Sequence, residues 1–240
     1  MTLAVASKVQ QVNPVKNHPL RVVAMGDSLV YGFGDPEGGG WVERLRRQWM
    51  SPDTPGHVLY NLGVRGDRVH QVAARFNNEF RYRGELRNRV PDVLLLSVGV
   101  NDCARVQSPQ GRNYTEFEKF NQELTDLLDQ VVQPCRVFFV GMVPVDEAQM
   151  PFNGCLYYTH ADQYRYKEAT RLACLERQIP YLDVFELWLN RGEAWWQARQ
   201  GPDGLHPNVV GYHSLLQDVV DWQPMKELMG VNYQILSLSL

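Results

Sequence analysis

Residues 20–29 read LRVVAMGDSL, an apolar run that leads directly into a polar turn. Similar apolar runs follow at residues 58–62, 93–98, 136–141 and 180–184, and each leads through a polar turn to a helical pattern. Strands that alternate with helices pair in parallel, because each helix carries the chain back to the same edge of the sheet. The sequence therefore predicts an α/β fold, a three-layer α/β/α sandwich with about five parallel strands.

Helical patterns occupy the segments between these strands. The clearest covers residues 114–132, where apolar side chains recur on one face, and Thr115 with Glu118 has the spacing of a capping box. We expect further helices at residues 41–50, 69–82, 162–178 and 208–221. Residues 144–159 contain prolines and aromatics, and they predict an ordered loop near the carboxyl ends of the strands.

Composition limits the class of protein. The chain has 240 residues, 44% hydrophobic and 21% charged, which is typical of a soluble globular protein. We predict one domain over residues 20–240, preceded by an N-terminal extension at 1–19. The formal net charge of −3 and the absence of a long basic run argue against nucleic-acid binding.

The sequence also gives expectations about location and cofactors. No apolar stretch is long enough to span a bilayer, and residues 1–20 lack the apolar core of a secretory signal, so we expect a cytoplasmic protein. The four cysteines are widely spaced and contain no C-x-x-C pair, which predicts free thiols. The histidines show no H-E-x-x-H or paired spacing, so neither a metal nor an organic cofactor is expected.

Three polar turns follow the first three predicted strands, at residues 26–28, 63 and 99–102. The carboxyl ends of parallel strands meet at one edge of the sheet, where active sites of open α/β folds lie. Ser28 in the first turn is a candidate nucleophile, although a lone serine at a strand end is more often a cap or turn residue. The turn does not match the G-x-S-x-G elbow, because Val30 takes the place of the last glycine.

A second candidate segment, Asp203-Gly204-Leu205-His206-Pro207, lies near the other end of the chain. A serine hydroxyl becomes a nucleophile when a base accepts its proton and a third group orients that base. Asp203 lies three residues before His206, close enough for its carboxylate to accept a hydrogen bond from the imidazole. Pro202 and Pro207 stiffen the segment.

Acyl transfer also needs donors that bind the oxygen that becomes negative. The candidates are the backbone N–H groups of Ser28 and Gly63 and the side-chain amide of Asn101. The last two residues each have a simpler interpretation. Gly63 could be present because the backbone there needs a positive φ, and the Asn101 side chain could form an Asx hydrogen bond to the backbone of its own turn. Asp27 and Asp102 flank these candidates, and we assign them structural roles in their turns.

Four separated blocks appear together: Gly26-Asp27-Ser28-Leu29, Asn61-Leu62-Gly63, Gly99-Val100-Asn101-Asp102, and Asp203-Gly204-Leu205-His206-Pro207-Asn208. In this order they resemble the SGNH hydrolase (GDSL lipase/esterase) superfamily. The resemblance covers roughly residues 21–216 and implies a flavodoxin-like fold.

For the site, the resemblance implies that Ser28 is the nucleophile, His206 the general base and Asp203 its orienting partner. Gly63 and Asn101 would complete the oxyanion hole. The implied reaction is hydrolysis of carboxylic esters of small or medium acyl groups through an acyl-enzyme. An acetyl-sugar deacetylase, a lysophospholipase and a thioesterase are alternatives that use the same site.

Further residues are candidates for substrate binding. Arg105 could meet an anionic or carbonyl-rich substrate, and Phe33 and Tyr157, together with Phe152 and Tyr158, could line an acyl pocket. The simpler interpretations are a solvated or salt-bridged arginine and aromatics that cover the edge of the core. Arg65 has the same two interpretations as Arg105.

Two other classes of protein remain as alternatives. A glycine-rich turn after a first strand is found in nucleotide-binding modules, but residues 32–37 lack the last glycine of the dinucleotide pattern and no G-K-[ST] follows. A non-catalytic binding homologue is the second. Residues 231–240 end in alternating apolar residues and serines, which predicts a strand, and a homodimer contact through this tail is a hypothesis.

Overall fold

The structure, a computed structural model, describes residues 19–85 and 89–229. Five parallel strands form one sheet in the order β2-β1-β3-β5-β7, and β4 and β6 form a separate antiparallel pair. The strands are β1 (Arg21–Gly26), β2 (Val58–Gly63), β3 (Val93–Ser97), β4 (Arg105–Val106), β5 (Arg136–Val140), β6 (Leu156–Tyr157) and β7 (Tyr181–Leu182). The main sheet thus has the strand order of flavodoxin-like folds, and the predicted α/β sandwich is confirmed.

The α-helices lie between and after the strands. They are α1 (Ser28–Tyr31), α2 (Gly40–Trp49), α3 (Val69–Phe80), α4 (Val100–Cys103), α5 (Phe117–Val131), α6 (His160–Glu176), α7 (Val184–Asn190), α8 (Glu193–Gln197), α9 (Val209–Asp221) and α10 (Gln223–Met229). Helices α3, α5 and α6 pack in series, and α2, α9 and α10 form a second group. Right-handed crossovers explain the two groups, since the chain runs in opposite directions across the sheet before and after β2.

The central strands are buried on both faces. Val22, Val23 and Ala24 in β1 and Leu94 and Leu95 in β3 have no exposed surface. Continuous apolar strands of this kind are expected where helices cover both sides of a parallel sheet. Because β1 and β3 are neighbours, their carboxyl ends hold the two turns after Gly26 and Ser97 in fixed positions.

The predicted N-terminal cap of helix α5 differs from the structure. Helix α5 begins at Phe117 and its N-cap is Glu116, which makes no side-chain cap hydrogen bond, so the predicted capping box of Thr115 and Glu118 is wrong. The Thr115 hydroxyl instead donates to Asp102 Oδ1 at 2.7 Å. The hydroxyl therefore donates to a carboxylate from another segment, instead of accepting a backbone N–H of its own helix.

The ordered loop at residues 144–159 contains a short 3-10 helix at Glu147–Gln149 and strand β6, which pairs with β4. The tail at 231–240 and most of the N-terminal extension lie outside the described residues. Within the described part of the chain, no helix combines the length and the apolar character needed to cross a membrane.

Candidate active site

Ser28 lies in the turn that follows β1. Gly26 ends the strand in close contact with β3, because a Cβ at Gly26 would lie 1.8 Å from the Ser97 carbonyl oxygen. Asp27 is the N-cap of α1 and accepts the Leu29 N–H at 2.9 Å. Ser28 is therefore the first residue of a helix, and within the described residues its own N–H donates no hydrogen bond.

His206 joins the beginning of the chain to its end. Its Nε2 lies 2.8 Å from Ser28 Oγ, across 178 residues of sequence, and its Nδ1 lies 2.7 Å from Asp203 Oδ2. The carboxylate at Nδ1 favours the neutral tautomer that is protonated there, which leaves Nε2 free to accept the serine proton. Only 4% of Ser28 and 3% of His206 are exposed, so the pair lies beneath the surface.

Asp203 is held by its own turn. Its Oδ1 accepts the backbone N–H groups of Leu205 at 3.0 Å and His206 at 2.9 Å, while Oδ2 faces the imidazole. Burial alone would raise the pKa of this carboxyl, but the hydrogen bonds from His206 outweigh burial and hold the pKa below its usual value. Asp203 is therefore ionised at neutral pH.

Two aromatic rings flank the imidazole. The Phe33 ring lies 4.7 Å and the Phe152 ring 5.8 Å from the ring of His206, centroid to centroid, and both are inclined by 65°. Phe33 follows α1, and Phe152 comes from the loop at 144–159, so two distant segments cover the base. These rings give the serine–histidine pair apolar walls.

The structure brings Asn101 and Gly63 to the same edge of the sheet as Ser28, each with one hydrogen bond already made. Asn101 Nδ2 donates to the Asp67 carbonyl at 2.9 Å, which orients the amide and leaves its second N–H available. The single N–H of Gly63 donates to Asn61 Oδ1 at 3.0 Å. Asn61 itself is anchored, since its Nδ2 donates to the Val30 carbonyl at 2.9 Å.

Within the described residues, Gly63 does not have a positive φ and Asn101 makes no Asx hydrogen bond in its own turn, so the simpler interpretations of these two residues do not hold. Gly63 is absent from the residues with positive φ, and a Cβ there would lie 2.1 Å from Tyr31 N, so close approach to α1 requires the glycine. The Asn101 side chain bonds residue 67 rather than its own turn, and its Oδ1 accepts from the Tyr158 hydroxyl at 3.4 Å.

Asp27 and Asp102 form a buried acidic layer beneath the site. Burial raises the pKa of each to about 7, and for Asp27 the negative charges of Asp102 and Asp67 add to the effect. Asp102 accepts the Val69 N–H at 3.1 Å and the Thr115 hydroxyl at 2.7 Å. Asp27 thus accepts a backbone N–H of its own turn, and Asp102 accepts donors from two other segments, which agrees with the structural roles expected for them.

The predicted substrate-binding residues have different surroundings. Phe33 contacts His206 directly. Arg105 makes a two-bond ion pair with Asp162, at 2.6 and 2.9 Å, and its strand β4 pairs with Tyr157 in β6. Within the described residues, neither Arg105 nor Tyr157 forms a hydrogen bond or ring contact with Ser28 or His206, and their roles stay predictions.

Sequence reasoning missed the residues that support the donors. Asn61, Asp67 and Tyr158 each bond Gly63 or Asn101. The sequence offered one signal, since Asn61 lies two residues before Gly63 and this spacing suits an Asx turn. The other two contacts join distant parts of the chain, across 34 and 57 residues.

A metal centre has no support in the part of the chain that the structure describes. No group of three or more histidine, cysteine, aspartate or glutamate side chains is arranged there to hold an ion. The four cysteines are free thiols, as predicted. The groups that the structure brings together at the site are the serine, the imidazole, the ionised Asp203 and the amide donors.

Comparison with protein families identifies the class. The model of the GDSL-like Lipase/Acylhydrolase family matches residues 24–213, which include all four sequence blocks. The chain belongs to this family, and the predicted resemblance is confirmed. The protein is a hydrolase of the GDSL/SGNH type. No curated protein matches its sequence.

Solved structures show the same fold. A lipase/acylhydrolase from Enterococcus faecalis is 19% identical with a TM-score of 0.66, over 83% of this chain and 92% of that one. A catalytic mutant of an acetylxylan esterase from Geobacillus stearothermophilus is 14% identical with a TM-score of 0.65, over 86% and 94%. A lipolytic G-D-S-L family protein from Veillonella parvula is 18% identical with a TM-score of 0.59, over 85% and 97%.

Proposed function

We propose that this protein hydrolyses carboxylic esters of small or medium acyl groups, with Ser28 as nucleophile, His206 as general base and Asp203 as the residue that orients it. One observation carries the proposal: Ser28 Oγ, His206 Nε2, His206 Nδ1 and Asp203 Oδ2 form a continuous chain of hydrogen bonds of 2.8 and 2.7 Å. This is the connectivity that an activated serine requires.

The reaction has two steps. His206 accepts the Ser28 proton as Oγ attacks the ester carbonyl carbon, and the imidazolium then protonates the leaving alcohol. The acyl group stays on Ser28 until His206 activates a water molecule that releases the acid and regenerates the serine. The ionised Asp203 stabilises the imidazolium in both steps, because its charge is a hydrogen bond away from Nδ1.

The developing oxyanion is bound by amide donors. The free N–H of Ser28 and the second amide N–H of Asn101 are available without rearrangement. The Gly63 N–H becomes the third donor when the substrate oxygen replaces, or shares it with, Asn61 Oδ1. Loss of one such donor reduces the rate by roughly 10²- to 10³-fold in serine hydrolases.

The walls of the site bear on the choice of acyl group. Phe33 and Phe152 lie against His206 and leave the serine 4% exposed, which favours short acyl chains over long ones. Acetyl esters are the smallest such substrates, and the similarity to an acetylxylan esterase fold makes acetylated saccharides a second candidate. A series of 4-nitrophenyl esters from acetyl to dodecanoyl, alongside acetylated xylan, a lysophospholipid and an acyl thioester, separates these substrates.

The central test is Ser28→Ala. We expect the variant to fold normally and to lose at least about 10³-fold in kcat on 4-nitrophenyl acetate, because Ser28 Oγ is the hydroxyl that lies at His206 Nε2. Labelling by a fluorophosphonate should disappear with the activity. Ser51→Ala, in the exposed turn after α2, is the matched control and should retain both. Unchanged turnover in Ser28→Ala would reject the proposal, and an unlabelled wild type would favour a non-catalytic homologue.

A further inference from the structure

Arg65 lies at the corner of the tight turn that follows β2. The Val64 N–H donates to the Gly26 carbonyl at 2.9 Å, and the Asp67 N–H closes the turn on the Val64 carbonyl at 3.2 Å. Gly66 has a φ of 82°, whereas Arg65 has no positive φ, so the turn is of type II with Arg65 at its second position. The backbone that carries Arg65 is therefore tied to the end of β1, two residues before Ser28.

The Arg65 side chain extends over the wall of the active site. Its guanidinium carbon lies 3.9 Å from the centroid of the Phe33 ring, and the same ring contacts the His206 imidazole at 4.7 Å. Phe33 is itself fixed, because its N–H donates to the Ser28 carbonyl at 3.1 Å and its carbonyl accepts from the Tyr212 hydroxyl at 2.8 Å. A single phenyl ring thus separates the guanidinium from the general base.

The hydrogen-bond donors of Arg65 are free. Arg65 is exposed, and within residues 19–85 and 89–229 its side chain makes no hydrogen bond and no ion pair. The nearest carboxylate in sequence, Asp67, is already paired with Arg75 at 2.7 Å. Stacking on the ring orients the planar guanidinium while leaving its N–H edge open to solvent.

Other arginines near the site differ in this respect. Arg105 is neutralised by Asp162, and Arg68 donates to the Tyr114 carbonyl and the Thr115 hydroxyl, both at 3.4 Å. Of these three arginines, Arg65 is the one whose N–H donors have no partner within the described residues, and its guanidinium stacks on Phe33. A guanidinium presented in this way binds carboxylate and phosphate oxygens through two parallel hydrogen bonds.

We propose that Arg65 is a specificity residue that selects ester substrates bearing a negatively charged group, a carboxylate or a phosphate, close to the scissile bond. The inference rests on the proposed ester hydrolysis at Ser28 and adds a substrate class to it. Because the guanidinium lies beyond Phe33 rather than at the serine itself, it binds a substituent of the substrate and leaves the reacting carbonyl to the amide donors.

The test uses pairs of substrates that differ in charge and hardly in shape. On the acyl side, 4-nitrophenyl succinate is compared with its neutral succinamate. On the alcohol side, the acetyl ester of 4-hydroxybenzoate is compared with that of 4-hydroxybenzamide, and the acetyl ester of 4-hydroxyphenyl phosphate separates phosphate from carboxylate. Enzymes compared are wild type, Arg65→Gln and Arg65→Lys.

We expect Arg65→Gln to lower kcat/KM about tenfold for at least one charged substrate, and to change kcat/KM for the neutral partner by less than twofold. The loss should appear mainly in KM, and Arg65→Lys should restore part of it. Arg165→Gln is the matched control, since Arg165 is also exposed and stacks on a phenyl ring, that of Phe117, at 3.8 Å. It should affect charged and neutral esters equally.

Equal effects of Arg65→Gln on charged and neutral partners would overturn the inference while leaving ester hydrolysis intact. A binding measurement makes the two proposals separable. Calorimetry with Ser28→Ala compares 4-nitrophenyl succinate with the succinamate and needs no turnover, and adding Arg65→Gln should remove the preference for the charged ester. No preference in Ser28→Ala alone would also overturn the inference, whatever the turnover assays show.

Discussion

Two turns of this molecule place carboxyls beside Ser28 and His206, and the pKa values of the two carboxyls are shifted in opposite directions. In the turn after β1, Asp27 is 1% exposed, and burial raises its pKa to about 7. In the turn before α9, hydrogen bonds from His206 keep the pKa of Asp203 below its usual value despite burial. Burial acts on both carboxyls, so the difference comes from the partner that each one has.

The difference in pKa follows from the different hydrogen-bond partners of the two carboxyls. Asp27 accepts a backbone N–H of its helix, a neutral donor that cannot offset the desolvation of a charge. Asp203 faces an imidazole that becomes a cation during the proposed reaction, and two backbone N–H groups support it. Within the described residues, Asp203 is the carboxyl bonded to the imidazole, so it is the one placed to stabilise an imidazolium.

Asp203→Asn should give the largest effect. An asparagine can donate to Nδ1 and favour the wrong tautomer of His206, so we expect kcat for 4-nitrophenyl acetate to fall by about 10³-fold or more, with little change in KM. Steady-state kinetics with a folding check by circular dichroism measures this. Asp146→Asn, on the neighbouring loop, is the matched control and should stay within about twofold. A loss below tenfold for Asp203→Asn would remove the distinction between the two turns.

Asp27→Asn tests the other turn through stability. The folded pKa of Asp27 lies above its unfolded value, so the folded state binds more protons, and this carboxyl lowers the free energy of unfolding as the pH rises from about 4 to about 7. Asparagine removes that dependence. We measure the free energy of unfolding in urea and subtract the wild-type value from that of Asp27→Asn. This difference should be roughly 2–4 kcal/mol more positive at pH 8 than at pH 5.

Asp126→Asn, on the exposed face of α5, serves as the control for this measurement and should show the same difference from wild type at both pH values. If Asp27→Asn also gives one pH-independent difference, Asp27 is ionised in the folded protein at neutral pH, and the contrast with Asp203 does not hold.

Thr115→Val should give the smallest effect, because it removes one donor from the buried acidic layer and keeps the shape of the side chain. The hydroxyl lies 2.7 Å from Asp102 Oδ1, and its loss leaves a buried acceptor with one partner fewer. We expect the free energy of unfolding to fall by about 1–3 kcal/mol. Thr125→Val, at a half-buried position of α5, should change it by less than about 0.5 kcal/mol. Equal values for the two variants would show that Asp102 does not need the hydroxyl.

The sheet and most helices could be predicted from the sequence, because apolar periodicity reports directly on burial. Strands β1, β2, β3 and β5 lie within one residue of their predicted bounds, whereas β7 has two residues where five were expected. Its short pairing with β5, through Tyr181 and Leu182, depends on how far the chain follows the edge of the sheet. Residue preferences do not contain that information.

The pairing of Ser28 with His206 could be anticipated only because the blocks resemble a known family. The surroundings of the site could not, since they depend on contacts between distant segments. For Arg65 two interpretations were open, a substrate contact and a solvated or salt-bridged residue, and the fold places its guanidinium over the Phe33 ring. In the same way, the spacing of Thr115 predicted a helix cap, but its hydroxyl donates to the carboxylate of Asp102 instead.

The bond between Ser28 and His206 has a consequence for synthesis. During translation Ser28 is synthesised 178 residues before His206. Helix α9, whose Tyr212 hydroxyl donates to the Phe33 carbonyl, is synthesised after His206. The nascent chain can complete its first strands but cannot activate its own hydroxyl. On the proposed mechanism, the Ser28 hydroxyl should therefore become reactive only after the segment that carries His206 has been synthesised and has folded against it.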